Sequence, residues 1–274
     1  METKSSLKSV LKRLRLSGIL ATLPERAAYA RKAKLEVQDF LELVLQDEID
    51  RRDQSNLRLR LQKARFSEEQ TLEGFDWNAP ITFDRDRVKH LFSLAFLNQH
   101  EDVILMGPVG VGKSHLAAAL GHAACRTGQD VLMLRVDHLL RELHQSRADS
   151  TTTKVLRRLI AQDLLILDDF GLRRFDAVQS SDLYELIVER HKRASTIFTS
   201  NRTIEEWVPL FDDPILAQSA IDRLAHNAHQ VVIEGESYRK KQAPGARVAR
   251  RTPTRSVDPR ERTPEKLDEL PPEP

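Results

Sequence analysis

The segment Gly107-Pro108-Val109-Gly110-Val111-Gly112-Lys113-Ser114 constrains the fold more than any other part of the chain. It fits the pattern G-x-x-x-x-G-K-[ST], in which glycines let backbone N–H groups approach a phosphate chain closely. An apolar run, Asp102–Met106, precedes it, and a helical pattern, His115–Cys125, follows. This is the strand–loop–helix context that the motif requires, so we expect a phosphate-binding loop at the start of a helix.

The motif also assigns individual roles. We expect Lys113 to reach the β- and γ-phosphates of a nucleotide and Ser114 to bind Mg²⁺. The expected cofactors are therefore ATP or ADP and Mg²⁺. The predicted nucleotide-binding residues of the loop are Gly107, Pro108, Val109, Gly110, Val111, Gly112, Lys113, Ser114 and His115.

The central part of the chain alternates between short apolar runs and helical patterns. The runs are rich in Val, Ile and Leu, which is typical of strands buried on both faces of a parallel sheet. Two helical patterns, Asp137–Arg147 and Thr153–Ala161, lie between the second and third runs, although one helix is enough to connect two parallel strands. The five runs are Val103–Met106, Val131–Val136, Leu164–Leu167, Thr196–Phe198 and Val231–Ile233.

Two acids follow the third apolar run. Because ligands of parallel sheets lie beyond the carboxyl ends of the strands, Asp168 is expected near the phosphate loop, where it holds Mg²⁺ directly or through water. Asp169 is a candidate to orient or deprotonate the attacking water. A bound cation would remove the repulsion between the two carboxylates, which favours a metal at this position.

Three further polar residues are candidates for the same site. Asn201 follows the fourth run and is placed to hydrogen-bond a γ-phosphate or the attacking water, although its spacing alone also fits a turn residue. Thr199 and Ser200, just before it, are weaker candidates for the same role. Arg223 lies on an amphipathic helical pattern, and Arg239 follows the last run. Either arginine could stabilise transition-state charge or form a surface ion pair, and the sequence alone does not choose between these roles.

The two ends of the chain differ from its centre. Residues 1–74 are highly charged, with apolar residues at helical spacing, and predict a helical N-terminal domain. Residues 75–240 form the predicted nucleotide-binding domain, with a helical insert at about 137–161. Residues 241–274 hold seven of the twelve prolines and no aromatic residue, so we expect a disordered tail. Seven Lys or Arg and no acid between Arg239 and Arg255 fit either polyanion binding or a solvated tail.

Composition excludes several classes of protein. The single cysteine, Cys125, excludes a disulfide framework and a zinc site built from cysteines. No apolar run approaches the roughly 20 residues needed to cross a bilayer. These features predict a cytoplasmic protein without a membrane partner.

These motifs together resemble an AAA+ ATPase of the IstB type, a P-loop NTPase with an α/β fold. IstB-type proteins are ATP-dependent helpers of insertion-sequence transposases and are related to the DnaC helicase loaders. The resemblance covers about residues 70–240. In addition to the phosphate loop, the segments that support the resemblance are Leu72–Trp77, Leu164–Asp169, Thr199–Arg202 with Trp207, Ala220–Leu224 and Gly235–Arg239.

The resemblance implies specific roles and one kind of assembly. Asn201 is similar to the sensor-1 residue, Arg223 to an arginine finger that reaches a neighbouring subunit's nucleotide, and Arg239 to a sensor-2 arginine. The extra helices near 137–161 resemble the insert of the initiator branch. The chain departs from the family pattern in two ways. Asp169 occupies a position where many AAA+ proteins have Glu, and its shorter side chain favours slow hydrolysis. No full helical lid domain follows the last apolar run.

Three functions remain open at this point. The first is an ATPase that assembles on duplex DNA, selects or remodels a target and recruits a transposase, with Arg223 joining copies of the chain. Basic residues near both termini would contact the DNA phosphates. The second is a loader of a replicative helicase, and the third is a nucleotide-binding switch that hardly hydrolyses ATP. A small-molecule kinase is disfavoured because no segment for binding an acceptor is apparent.

Overall fold

In a computed structural model of the protein, residues 5–66, 70–77 and 79–237 are described. Within them the chain forms α-helices, β-strands and one 3₁₀ helix, Glu205–Leu210. The strands are β1 (Ile81–Thr82), β2 (Asp102–Met106), β3 (Val131–Arg135), β4 (Leu164–Phe170), β5 (Ser195–Ser200), β6 (Ala228–Val232) and β7 (Glu234–Gly235). The helices are α1 (Ser5–Arg13), α2 (Ile19–Ala33), α3 (Val37–Ala64), α4 (Arg85–Leu91), α5 (Ala95–Asn98), α6 (Lys113–Arg126), α7 (Val136–Ala148), α8 (Thr152–Ile160), α9 (Ala177–Arg190) and α10 (Pro214–Asn227).

Five strands form one parallel sheet in the order β3-β4-β5-β2-β6. Each strand overlaps one of the five apolar runs, so the predicted parallel sheet is confirmed, although β6 begins three residues before its predicted run and ends before Ile233. Strand β2 lies between β5 and the edge strand β6, which places the segment after Met106 at the carboxyl edge of the sheet, beside the end of β5. The short strands β1 and β7 pair separately and antiparallel, with Ile81 opposite Gly235.

Helices cover both faces of the sheet, because strands that are apolar on both sides must be buried on both sides. Helices α7 to α10 pack on one face around the fully buried Trp207. Helices α4 and α6 pack on the other face together with the end of α3. The core is therefore a three-layer sandwich of helices, sheet and helices, as the alternating sequence pattern predicts.

Two helices, α7 and α8, lie between β3 and β4, at the positions of the two helical patterns in the sequence. A turn with Ser150 in the left-handed region (φ 54°) joins the two helices. Near the end of α7, Arg147 pairs with the buried carboxylate of Asp182 on α9. This ion pair fixes the end of the insert to the body of the domain.

The N-terminal residues form three helices, in agreement with the apolar spacing. Helices α2 and α3 are held together by Arg26, which donates two hydrogen bonds of 2.8 Å to Asp47. The last turn of α3 is buried against the sheet domain, with Ala64 fully covered. A single helix thus belongs to the N-terminal helices and to the core of the sheet domain, and the boundary at residue 74 stays a prediction.

Part of the predicted secondary structure is wrong. The sequence predicts one helical stretch from Val88 to Leu97, but two helices form, Arg85–Leu91 and Ala95–Asn98. Leu94 adopts a left-handed conformation (φ 59°), which interrupts the helix while keeping apolar residues of both pieces buried. The spacing of apolar residues indicates which side chains are buried. It does not show whether the helix that buries them is continuous.

Two charged side chains are buried at the amino edge of the sheet. Arg190 donates hydrogen bonds to the carbonyls of Leu159 and Gln162, both 2.9 Å, and Asp102 accepts one of 2.7 Å from the Thr196 backbone. Burial raises the pKa of Asp102 to about 7, against the opposing effects of this hydrogen bond and of nearby Arg190. Burial lowers the pKa of Arg190 to about 10.

The predicted tail, residues 241–274, lies outside the described residues. No helix in the part of the chain that the structure describes is long and apolar enough to cross a membrane.

Candidate functional site

The phosphate loop connects β2 to α6 at the carboxyl edge of the sheet. Its glycines have positive φ angles, 146° at Gly107 and 85° at Gly110, which side chains disfavour. A Cβ atom would lie 2.0 Å from the Ile233 carbonyl oxygen at Gly107 and 2.1 Å from Ser237 Oγ at Gly110. The backbone of residues 233–237 therefore packs directly on the loop, and only glycine permits this approach.

The side chain of Lys113 is almost fully buried at the start of α6. Its Nζ donates hydrogen bonds of 2.7 Å to the carbonyls of Gly107 and Pro108 and to Asn201 Oδ1. Asn201 follows β5, the neighbour of β2, so adjacent strands bring these two predicted site residues together. The ammonium group is held at the mouth of the loop, where phosphate oxygens could replace the carbonyls as acceptors.

The carboxylate of Asp168 is held by two hydroxyl groups. Ser114 Oγ donates to Asp168 Oδ1 at 2.7 Å, and Thr199 Oγ1 donates to the same oxygen at 2.6 Å. Asp168 is buried, at 7% exposure. The two residues predicted to hold Mg²⁺ are thus in direct contact, and Thr199, which the sequence ranked below Asn201, links them to β5.

A bulge in β4 separates the roles of the two acids. Leu167 pairs with Phe198 and Phe170 pairs with Ser200, so Asp168 and Asp169 together oppose Thr199. Such a bulge lets neighbouring residues point in different directions. Asp169 adopts a left-handed conformation (φ 59°), and its backbone N–H donates to Thr199 Oγ1 at 3.0 Å.

The carboxylate of Asp169 turns away from Asp168 and pairs with Arg135, at 3.3 Å between Oδ2 and Nη2. Arg135 ends β3, directly opposite Asp168 in the sheet. Sequence reasoning missed Arg135, because the predicted run Val131–Val136 contains it, whereas the strand ends at Arg135 and α7 begins at Val136. The signal that could have found it is a basic residue within an otherwise apolar run.

Aromatic residues cover the start of α6. His115 Nε2 lies 3.0 Å from the Thr71 carbonyl, and its ring meets Phe75 edge to face with 5.5 Å between centroids. Phe75 also lies 3.2 Å from the position that a Cβ of Gly112 would occupy. The segment before β1 therefore packs over the loop, while Val109 at the loop's tip is more than half exposed.

Of the two predicted arginines, only Arg223 is among the described residues, and it does not contact this cluster. Arg223 donates to the carbonyl of Ser219 at 2.7 Å on its own helix, α10. That helix ends at the amino edge of the sheet, where Asn227 donates to the His100 carbonyl. Burial, together with nearby Lys192 and Arg223, lowers the pKa of His191 in this region. Arg239 lies outside the described residues, two positions after Ser237.

The donor set of the site fits Mg²⁺. Among the described residues no cluster of three His, Cys, Asp or Glu could hold a metal ion alone. Mg²⁺ binds oxygen ligands and is commonly held by one or two protein groups together with nucleotide phosphates. A hydroxyl and a carboxylate 2.7 Å apart beside a phosphate loop supply such a partial set.

The sequence profile described as IstB-like ATP binding protein matches residues 9–246. The chain belongs to this family. A Mycobacterium tuberculosis member, named as an ATP-binding protein in an insertion sequence, is 40% identical over 241 residues, covering 88% of this chain and 96% of that one. The ATP-binding protein of insertion sequence IS21 from Pseudomonas aeruginosa is 36% identical over 248 residues, covering 90% and 94%.

Solved structures support the fold of this IstB-like protein. The DnaC helicase loader superposes with a TM-score of 0.51 at 20% identity, over 60% of this chain and 96% of that one. At this identity the likeness concerns the fold alone, which is that of an AAA+ P-loop NTPase. The family and the fold inferred from the sequence motifs are therefore confirmed.

Proposed function

We propose that this IstB-like protein is an ATPase that assembles on duplex DNA and delivers a target to the transposase of its insertion sequence. The observation that carries the proposal is the contact of Ser114 with Asp168 beside a phosphate loop whose Lys113 meets Asn201. Membership of a family whose relatives are named as insertion-sequence ATP-binding proteins supports the transposition context.

In the proposed site, backbone N–H groups from Val109 to His115 bind the phosphates, Gly107 and Pro108 form the start of the loop, and Lys113 balances the phosphate charge. Ser114 and Asp168 would hold Mg²⁺, which neutralises charge that develops on the phosphates. Asn201 orients the γ-phosphate or the attacking water. Arg239 is proposed to contact the γ-phosphate from its own chain.

Asp169 is the proposed group that orients the water and accepts its proton. Its side chain is one methylene shorter than Glu and is paired with Arg135, so both features favour slow basal hydrolysis. Slow hydrolysis would set how long the ATP-dependent assembly lasts, because hydrolysis ends the assembled state. Asp169→Asn should then give assemblies that persist with ATP, whereas a switch that hardly hydrolyses would be unaffected.

Arg223 is proposed to complete the site of a neighbouring copy. Its position near the amino edge, away from the loop of its own chain, supports action in trans. One copy would then supply the arginine and the next would supply the phosphates, so ATP joins copies of the chain.

Duplex DNA is the proposed polymer that the assembly binds. Within the described helices, Arg26 is committed to Asp47, so the other basic residues are the better candidates for phosphate contacts. We expect DNA binding to weaken steeply with salt. The candidates are Lys8, Lys12, Arg13, Arg15, Arg31, Lys32 and Lys34, together with the basic tail. The proposed location is the cytoplasm. DNA, the proposed partner, is found there, and the free thiol of Cys125 fits a reducing compartment.

The decisive experiment images the purified protein with ATP, Mg²⁺ and duplex DNA. Ordered multimers should form with wild type and should be lost with Arg223→Ala. Nucleotide binding measured separately tests the site itself, because Arg223→Ala should still bind ATP while Lys113→Ala should not. Failure of the wild-type protein to bind adenine nucleotides with Mg²⁺ would refute the whole proposal.

A helicase loader is not proposed as a second function. The likeness to DnaC carries the fold, and the relatives named above point to insertion sequences. Capture of a replicative helicase by the full-length protein, without any effect on a transposase, would reverse this choice.

A further inference from the structure

The chain that follows β6 runs directly over the phosphate loop. Ile233 is fully buried, and its backbone N–H donates a hydrogen bond of 2.7 Å to the last carbonyl of β2, just before the loop begins. A Cβ atom at Gly107 would lie only 2.0 Å from the Ile233 carbonyl oxygen, and Ser237 lies similarly close to Gly110. We call residues 233–237 the covering segment, because they pack on the first half of the loop.

A short antiparallel ribbon fixes the covering segment in place. Strand β7 lies within the segment and pairs with β1, so that Gly235 is opposite Ile81. Gly235 has a φ of 130°, and a Cβ atom there would lie 2.4 Å from the Pro80 carbonyl oxygen, an approach that only glycine permits. Ser237 follows this paired strand by two residues. Its position beside the loop is therefore set by the fold before a ligand binds, which reduces the entropy cost of a contact with that ligand.

The hydroxyl group of Ser237 faces the loop. A Cβ atom at Gly110 would lie 2.1 Å from Ser237 Oγ, but 2.9 Å and 3.3 Å from the Cβ and Cα atoms of the same serine. No hydrogen bond joins this hydroxyl group to another residue in the described part of the chain. The hydroxyl groups of Ser114 and Thr199, by contrast, both donate to Asp168. Ser237 therefore presents an available hydrogen-bond donor to the phosphate loop.

We propose that Ser237 donates a hydrogen bond to a phosphate oxygen of the nucleotide that the loop binds. Such a loop holds phosphates on its backbone N–H groups, and Gly110, the residue that Ser237 contacts, lies within it. Phosphate oxygens are charged acceptors, which form stronger hydrogen bonds than neutral groups do. The inference rests on the proposed function, because it requires a nucleotide at the loop. It deepens that function by adding a phosphate contact from the covering segment, separate from the one proposed for Arg239.

Two other roles for Ser237 lead to different expectations. If the side chain only fills space against Gly110, alanine would replace it without loss of nucleotide affinity. If the hydroxyl group contacts the base or the ribose, a ligand without a nucleoside would bind equally well after the hydroxyl group is removed. A phosphate contact alone predicts weaker binding of both ATP and inorganic tripolyphosphate.

The first test measures the binding of ATP and of inorganic tripolyphosphate with Mg²⁺ by calorimetry. The parent is the full-length Arg223→Ala protein, which lacks the proposed ATP-dependent contact between copies. Ser237→Ala should raise the dissociation constants of both ligands about tenfold, because each ligand loses one hydrogen bond to a charged group. Thr82→Ala is the matched control and should leave both constants unchanged, since it removes an exposed hydroxyl group from the other strand of the ribbon.

Three results of this test would overturn the proposal. They are unchanged affinities in Ser237→Ala, weaker binding of ATP alone, and equal effects of Ser237→Ala and Thr82→Ala. If the parent protein binds neither ligand, the proposed function itself is wrong, and the contact proposed for Ser237 is wrong with it.

The second test examines the contact between Ser237 and Gly110 without nucleotide. Gly110→Ala should lower the midpoint of thermal unfolding, because its Cβ meets the Ser237 side chain and its φ of 85° disfavours alanine. The same substitution should lower the midpoint less in protein that also carries Ser237→Gly, where only the Cα atom, 3.3 Å away, remains. Ser237→Ala alone should leave the midpoint unchanged. Equal effects of Gly110→Ala in both backgrounds would show that the two residues do not meet, and a lower midpoint for Ser237→Ala with full nucleotide affinity would show a purely structural role.

Discussion

The guanidinium of Arg135 and the carboxylate of Asp169 form an ion pair at the carboxyl edge of the sheet, 3.3 Å apart. One partner ends β3 and the other occupies the bulge of β4, one position beyond the Asp168 that contacts Ser114. Both side chains are partly exposed, so the pair is weak enough to open. In the proposed reaction this contact competes with the water that Asp169 would bind.

Arg135→Ala should therefore raise the basal rate of ATP hydrolysis, by roughly threefold to tenfold, because Asp169 is released to act on water. Steady-state phosphate release with and without DNA measures the effect, and the stimulation by DNA should shrink accordingly. Arg173→Ala is the matched control, since Arg173 forms a similar exposed pair with Asp137 at 3.2 Å. A rate that falls, or that changes equally in both variants, would contradict the restraining role of Arg135.

Thr199→Val should lower turnover about 10- to 100-fold, because Thr199 positions Asp168 and the backbone of Asp169 through one hydroxyl group. We expect the Mg²⁺ concentration for half-maximal activity to rise and Thr199→Ser to restore most of the loss. Thr196→Val on the same strand removes the acceptor of an Arg190 hydrogen bond instead. That control should lower stability and leave the Mg²⁺ dependence unchanged.

Asp102 makes stability depend on pH near neutrality. Its pKa is about 7 in the folded chain against an ordinary value of 3.8, so the folded state holds a proton that the unfolded state has lost. The stability contributed by this group is therefore present at low pH and falls as the pH rises to about 7. Denaturant unfolding of wild type and Asp102→Asn between pH 5 and 8 measures it. Wild type should lose stability relative to the variant across this window, and a constant difference would contradict the assignment.

Asp182→Ala should destabilise the protein by about 1–2 kcal/mol, because it leaves the guanidinium of Arg147 without its carboxylate at a partly buried site. We expect a smaller loss of stability than for a fully buried pair, because Arg147 is partly exposed and solvent weakens its interaction with Asp182. Arg193→Ala breaks a more exposed pair with Glu189 and should change stability by less than about 0.5 kcal/mol. Equal effects of the two substitutions in denaturant unfolding would argue against an anchoring role for Asp182.

Local patterns were sufficient to predict most of the fold. Each strand of the parallel sheet contains a short apolar run, and the phosphate loop is specified by residues that are contiguous in sequence. The proximity of Asn201 and Asp168 to the loop also followed from one rule, that parallel strands place their carboxyl ends along one edge.

The remaining features depend on contacts between residues far apart in the chain. The ranking of Thr199 below Asn201 missed its bond to Asp168, because the β4 bulge that aligns them has no signal of its own in the sequence. The burial of Ala64 likewise arises from packing against a distant strand and helix. The break at Leu94 requires a backbone conformation that leucine rarely adopts, so apolar spacing could not predict it.

Helix α3 has 28 residues and is therefore a rod about 42 Å long. Its inner end packs against α6, the helix that begins at Lys113, and its outer end carries exposed apolar residues such as Leu41 and Leu45. A tilt of about 5° at the inner end would displace the outer end by about 4 Å over that length. A small displacement of α6 beside the phosphate loop would thus become a larger one at the far end of α3.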